Sequence, residues 1–277
     1  MAMPREATYG IRTGLGKPGS EVEAAGNLLR SFFEWFGEIG LFCGRVFRAA
    51  LTPPYEFREL IRQLDEVGSR SVLLVTLAGA AMGVVLSLET RNSLIRFGAK
   101  SALPAVIMIS IIRESGPIIT GLVVSGRVGA GIGAALGSMK VTQQIDAIEV
   151  SGVNPYRYLA ATRILACALM LPLLTLAADF SGVLMGWITN TLAEPMSFRL
   201  FLDTGLKHMT FDDFLPTTFK TVVFGLIIGV ISCFQGMRVE GGTEGVGRAA
   251  TSSVVLSSLF IIVADVLLVR LILVFFP

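Results

Sequence analysis

Residues 113–150 read RESGPIITGLVVSGRVGAGIGAALGSMKVTQQIDAIEV, and this stretch decides the fold. Arg113 and Glu114 put two charges into an apolar run, and Pro117 follows within a turn. Proline lacks an amide hydrogen and crowds the carbonyl four residues back, so the helix is expected to kink near Arg113. The surrounding segment, 102–137, is too long for one simple membrane span and too short for two with a turn. It predicts a broken or steeply tilted helix whose break is lined by protein or water rather than lipid. A charge at mid-bilayer costs about 2.5–3.5 kcal/mol on insertion scales, so two together require partners, water or a polar ligand. Neighbours on a helix point about 100° apart, so Arg113 and Glu114 need not pair with each other. They read best as a polar floor or wall of a substrate cavity; the other reading is an interfacial pair holding helices in register.

The rest of the stretch does different work. Gly129, Gly133 and Gly137 form two overlapping GxxxG steps, a face on which another helix can approach closely, within the subunit or across a dimer. From Ser138 to Val150, Val141, Ile145 and Ile148 make one apolar stripe, with Lys140, Gln143, Gln144, Asp146 and Glu149 around it. Two acids and one base suit an anionic lipid surface poorly. The pattern fits better a helix that docks its apolar anchors into a groove on a soluble partner.

Outward from there the chain is that of a membrane protein. Of 277 residues, 53% are hydrophobic and 16% charged, against about 25% charged in soluble domains. Mean hydropathy is +0.70. A net charge of +2 with no basic tract speaks against nucleic-acid binding. Cys43, Cys167 and Cys233 lie far apart with no CxxC pair, so neither a disulfide frame nor a zinc site is expected. With His208 as the only histidine, metal-dependent and triad hydrolysis lack material, and no GxxxxGK[ST] motif is present.

Residues 1–26 are polar and glycine-rich and read as a flexible cytoplasmic tail rather than a secretory signal. Residues 27–52 hold an aromatic-rich amphipathic helix. Arg30, Glu34, Glu38, Arg45 and Arg48 share an arc of about 80°, which suits the plane of the membrane interface. Beyond it, 53–277 form one membrane domain. Phe57, Leu60, Ile61, Leu64 and Val67 predict a short amphipathic helix ending at Gly68. Spans are expected over 71–88, 102–137, 164–188, 221–237 and 249–276, with a mixed surface segment at 189–220 that contains Lys220. The fold class is therefore an all-α integral membrane protein: an N-terminal interfacial helix, five transmembrane helices, one of them broken, and a cytoplasmic helix at 138–150. Nine Lys and Arg between Arg5 and Arg70 place the N-terminus in the cytoplasm.

Asp179 and Asp265 are lone acids within spans. With Glu114 they could serve a proton-coupled secondary transporter, although the inverted repeats common in such folds are not visible. An intramembrane enzyme would need a nucleophile–base or metal set, and none is present.

Two blocks, Arg113–Ala166 and GMRVEGGTEGVGRAATSSVVLSSL from Gly236 to Leu259, resemble the MlaE/YrbE-like permeases, membrane subunits of MCE-associated ABC transporters. The likeness runs from about Pro53 to the C-terminus. Ser115 stands where that family usually has an apolar residue, and Gln143 where it often has Glu. The resemblance implies two permease copies, as a homodimer or a related pair, with two cytoplasmic ATPases that carry ATP and magnesium. This chain itself would hold no cofactor and no metal. It further implies an MCE protein on the periplasmic or outer side and transport of phospholipid or another hydrophobic lipid at a bacterial inner membrane. The segment matching Ser138–Val150 would be the coupling helix, with Lys140, Val141, Gln144, Ile145, Ile148 and Glu149 toward the ATPase. Arg113 and Glu114 would lie near the lipid cavity.

Overall fold

The computed structural model describes residues 18–53, 55–207, 209 and 211–275. Residues 1–17 of the expected tail, together with Pro54 and His208, lie outside the described residues. The chain divides into two compact units, Met1–Phe42 and Cys43–Pro277. Helix α1 (Pro18–Leu51) carries the described part of the first, and its residues from Cys43 onward belong to the second. It begins well ahead of residue 27, so the polar composition of 18–26 does not prevent a helix. Within the first unit Arg30 pairs with Glu34 at 2.8 Å, and the Trp35 and Phe36 rings meet edge to face.

The second unit continues with α2 (Phe57–Val67) and α3 (Ser69–Arg96), joined through Gly68 almost as one helix. Helix α4 covers Lys100–Val141, α5 Gln144–Val150, α6 Tyr156–Ala193, α7 Phe198–Leu206, α8 Phe211–Met237 and α9 Gly242–Phe275. Five segments among the described residues are long and apolar enough to cross a membrane: Phe57–Arg96, Lys100–Val141, Tyr156–Ala193, Pro216–Met237 and Gly242–Ile272. These are the five expected spans, each longer than its apolar run because polar ends continue the helix.

Helix α6 is the frame. Its glycines and small residues let α3 and α8 pack on it with backbones almost touching. A side chain at Gly83 would run into the Gly182 carbonyl, and one at Gly229 would lie 2.7 Å from the Ile164 Cα. At one end, α7 inserts Phe201 into a core of Leu103, Ile107, Met108, Ile111 and Val183. Ser197 caps α7 by accepting from the Leu200 amide, satisfying one free donor of its first turn. Near that end Lys100 and Arg91 both pair with Glu194, tying α3, α4 and the end of α6 together.

Helix α2 does not bury its apolar stripe whole. Its buried residues are Glu59, Gln63 and Val67, while Phe57 and Ile61 are exposed. Gln63 and Arg62 donate to Glu59, so the inward polar groups satisfy each other. The outer face is mixed: Phe57 and Ile61 share it with Arg58, Arg62, Asp65 and Glu66, while Leu60 and Leu64 are half-buried.

Candidate functional site

The break expected near Arg113 takes the form of a π turn. Helix α4 does not stop; Ile111–Ser115 widens to π geometry, and the Gly116 amide bonds the Ile111 carbonyl five residues back. Pro117, four residues after Arg113, has no hydrogen to give the Arg113 carbonyl. That oxygen accepts instead from the Lys220 ammonium, 3.1 Å away on α8. A second π turn, Ser125–Gly129, follows two turns later.

Lys220 is the centre of the site. Its side chain is 1% exposed and lies 3.0 Å from Glu114 Oε2 and 2.8 Å from Asp265 Oδ1. Three packed helices, α4, α8 and α9, thus meet at one ammonium and two carboxylates, with the Arg113 charge next in sequence to Glu114. An ion cluster inside apolar spans is tolerable only when its members satisfy each other. Lys220 and Asp265 are covered, whereas Glu114 keeps 44% of its side chain open and is the face of the cluster that a ligand can reach.

Sequence reasoning found Arg113, Glu114 and Asp265 and missed Lys220, which was assigned to the surface segment 189–220. Helix α8 starts earlier than its apolar run, at Phe211, and carries Lys220 into the bundle. The signal available was a lysine one residue ahead of an uncharged span; its partners lie in other helices. Asp179 does not join the cluster. It packs over Gly116, where no side chain stands in its way, beside Thr175, Thr217, Thr218 and Thr221, and its Oδ1 has no hydrogen-bond partner among the described residues. Two of the three acids proposed for a proton route are therefore bound to one lysine.

The glycine face of α4 is used within the subunit. A Cβ at Gly129 would lie 3.2 Å from Ser232 Oγ, one at Gly133 3.2 Å from Ser253 Cβ, and one at Gly137 2.8 Å from Val239 Cγ2. The second half of α4 is clasped by α8 and α9.

The helix expected over Ser138–Val150 is in fact a corner. Helix α4 ends at Val141, Gln143 takes the left-handed conformation at φ +59°, and α5 starts at Gln144. Lys140 bridges the bend to Asp146 at 2.9 Å. The change of direction splits the Val141–Ile145–Ile148 stripe. Ile145 is buried at 4% exposure, so it anchors the corner to its own chain rather than to a partner. Ile148 is half-buried, Gln144 and Glu149 are exposed, and Val150 is 89% exposed. The apolar group this corner offers outward is Val150, with Val141 partly open.

Comparison with known proteins finds relatives along most of the chain. The model of a family described as Permease MlaE matches residues 60–271. A probable ABC transporter permease protein of Rickettsia typhi is 34% identical over 240 residues, covering 87% of this chain and 93% of that one. A probable ABC transporter permease protein of Synechocystis is 32% identical over 222 residues, 80% of this chain and 84% of its own length. The chloroplastic protein trigalactosyldiacylglycerol 1 of Arabidopsis thaliana is 31% identical over 239 residues, 86% of this chain and 68% of that protein.

Proposed function

The chain belongs to the MlaE permease family, and on that premise we propose that it moves phospholipid or a related hydrophobic lipid, powered by a separate ATPase. It is an ABC transporter permease with five membrane-crossing helices, a transport component rather than an enzyme. Lipid as cargo is supported by the Arabidopsis relative, whose name carries a galactolipid. The partners follow from the same reading: two cytoplasmic ATPases holding ATP and magnesium, a second permease copy, and an MCE protein on the far side of a bacterial inner membrane. The N-terminus and the α4–α5 corner then face the cytoplasm, and α1 lies in the membrane interface.

One observation carries the mechanism. Helix α4 runs unbroken from the Glu114–Lys220–Asp265 cluster to the corner at Val141–Gln144, about 40 Å at 1.5 Å per residue. Movement of a docked corner is transmitted along α4 as a rigid body to the cluster. There the open Glu114 meets the polar part of the lipid, while Lys220 and Asp265 hold the charge balance. Replacing Glu114→Gln removes one charge-assisted bond and should lower transport about tenfold in reconstituted vesicles containing ATPase and MCE partner. Unchanged transport and unchanged co-purified lipid would reduce the cluster to scaffold.

A further inference from the structure

A second polar chamber lies away from that cluster. It is a cavity of about 570 Å3 between α2, the second half of α4 and the start of α6, and four guanidinium groups line it: Arg62, Arg70, Arg127 and Arg163. Two are already neutralised, Arg62 by Glu59 at 2.7 Å and Arg70 by Glu66 at 2.9 Å. Arg127 and Arg163 have no carboxylate within ion-pair distance among the described residues. Arg127 donates to the Ser71 hydroxyl at 2.6 Å and more weakly to the Glu66 carbonyl. Arg163 is only 6% exposed and donates to the Leu159 carbonyl. Against these two charges stands one further lining acid, Asp65, which already accepts from Ser69. The chamber carries one positive charge in excess, with spare guanidinium donors around an open volume.

Its level in the fold identifies the ligand. Arg70 stands one turn ahead of the outward apolar band of Val72, Leu73 and Leu74, and the outer face of α2 exposes Phe57 and Ile61. The cavity therefore opens where a polar boundary meets a lipid-facing surface. Arg127 reaches that boundary from within a span by extending its head toward the α2–α3 junction. Along α4 it lies about 20 Å from Glu114.

We propose that this chamber binds the phosphate of an anionic phospholipid headgroup, a singly negative phosphodiester. Arg127 and Arg163 are its donors, and the acyl chains lie along the outward Val72, Leu73 and Leu74 of α3, beside Phe57 and Ile61 of α2. The forked donors of arginine match phosphate oxygens. The site is separate from the Glu114 cluster and stands whether or not that cluster handles cargo.

The test is native mass spectrometry of the full-length chain in detergent, titrated with phosphatidylglycerol, with diacylglycerol of the same acyl chains, and with sodium phosphate. The wild-type chain retains phosphatidylglycerol and not diacylglycerol. Arg127→Gln weakens retention of one lipid about tenfold, the scale of a lost charge-assisted contact. Gly131→Leu does the same while leaving every charge in place, because Gly131 lines the cavity and has open space where a side chain would begin. Arg58→Gln, an exposed cation on α2 outside the lining, leaves that lipid bound. Equal retention by wild type and by monodisperse, helical Gly131→Leu protein overturns the site. Retention of phosphate without phosphatidylglycerol overturns the lipid assignment.

Discussion

Lys220 shows how one side chain can decide whether a charged site is tolerable. With Lys220→Met, Glu114 and Asp265 lose their shared cation inside packed helices. Removing one partner of a buried ion group costs roughly 3–5 kcal/mol. We expect a clear drop in the thermal transition of the detergent-solubilised chain, and recovery of most of it when Glu114→Gln and Asp265→Asn are added. A triple variant no more stable than the single one would show that Lys220 matters through packing alone. The residue was illegible in the sequence for a definite reason. Hydropathy ranks Lys220 by its neighbours in the chain, whereas its partners Glu114 and Asp265 come from other helices. Arg113 and Glu114 were legible because they interrupt an apolar run that had no other cause to be interrupted. Arg163, one residue ahead of the expected span over 164–188, was hidden in the same way and is buried at the start of α6.

At the scale of elements, length and apolarity revealed all five spans, while direction and facing had to come from contacts. The amphipathic pattern of 138–150 continues through Thr142 and Gln143, and nothing in composition marks the left-handed turn at Gln143, a conformation that side-chain-bearing residues seldom adopt. The bend is held from outside the pattern, by Lys140 on Asp146 and by burial of Ile145. Burial separates the roles of Ile145 and Val150. Ile145→Asp should loosen the corner itself, seen as faster proteolysis between Lys140 and Arg157 in the isolated chain. Val150→Asp should leave the isolated chain unaltered and reduce co-purification of the ATPase about tenfold, as loss of a central apolar anchor does. Undiminished ATPase capture by Val150→Asp would move the docking surface elsewhere. Helix α2 teaches the same about facing: periodicity marks one apolar stripe, but packing buries Val67, half-buries Leu60 and Leu64 and leaves Phe57 and Ile61 exposed.

For the whole molecule, the contacts divide the membrane domain into a frame and a transmitting arm. Helices α3 and α8 pack on α6 at glycines where backbones nearly touch, and such interfaces have no room to slide. Gly83→Leu should therefore separate α3 from α6 and cost about 1–3 kcal/mol or prevent folding, read as lost thermal stability in detergent. The arm is the second half of α4, gripped by α8 and α9 along Gly129, Gly133 and Gly137. If it moves with α9 as one body, tying the two together should not impede transport. Gly133 and Ser253 offer the tie, since a Cβ at Gly133 lies 3.2 Å from that of Ser253, close to the separation a disulfide needs. In a background with Cys43, Cys167 and Cys233 replaced by serine or alanine, Gly133→Cys with Ser253→Cys should transport lipid equally well oxidised and reduced. Transport that stops on oxidation and returns on reduction would mean that α4 slides against α9 during the cycle, and the glycine face would then be a bearing rather than a clamp.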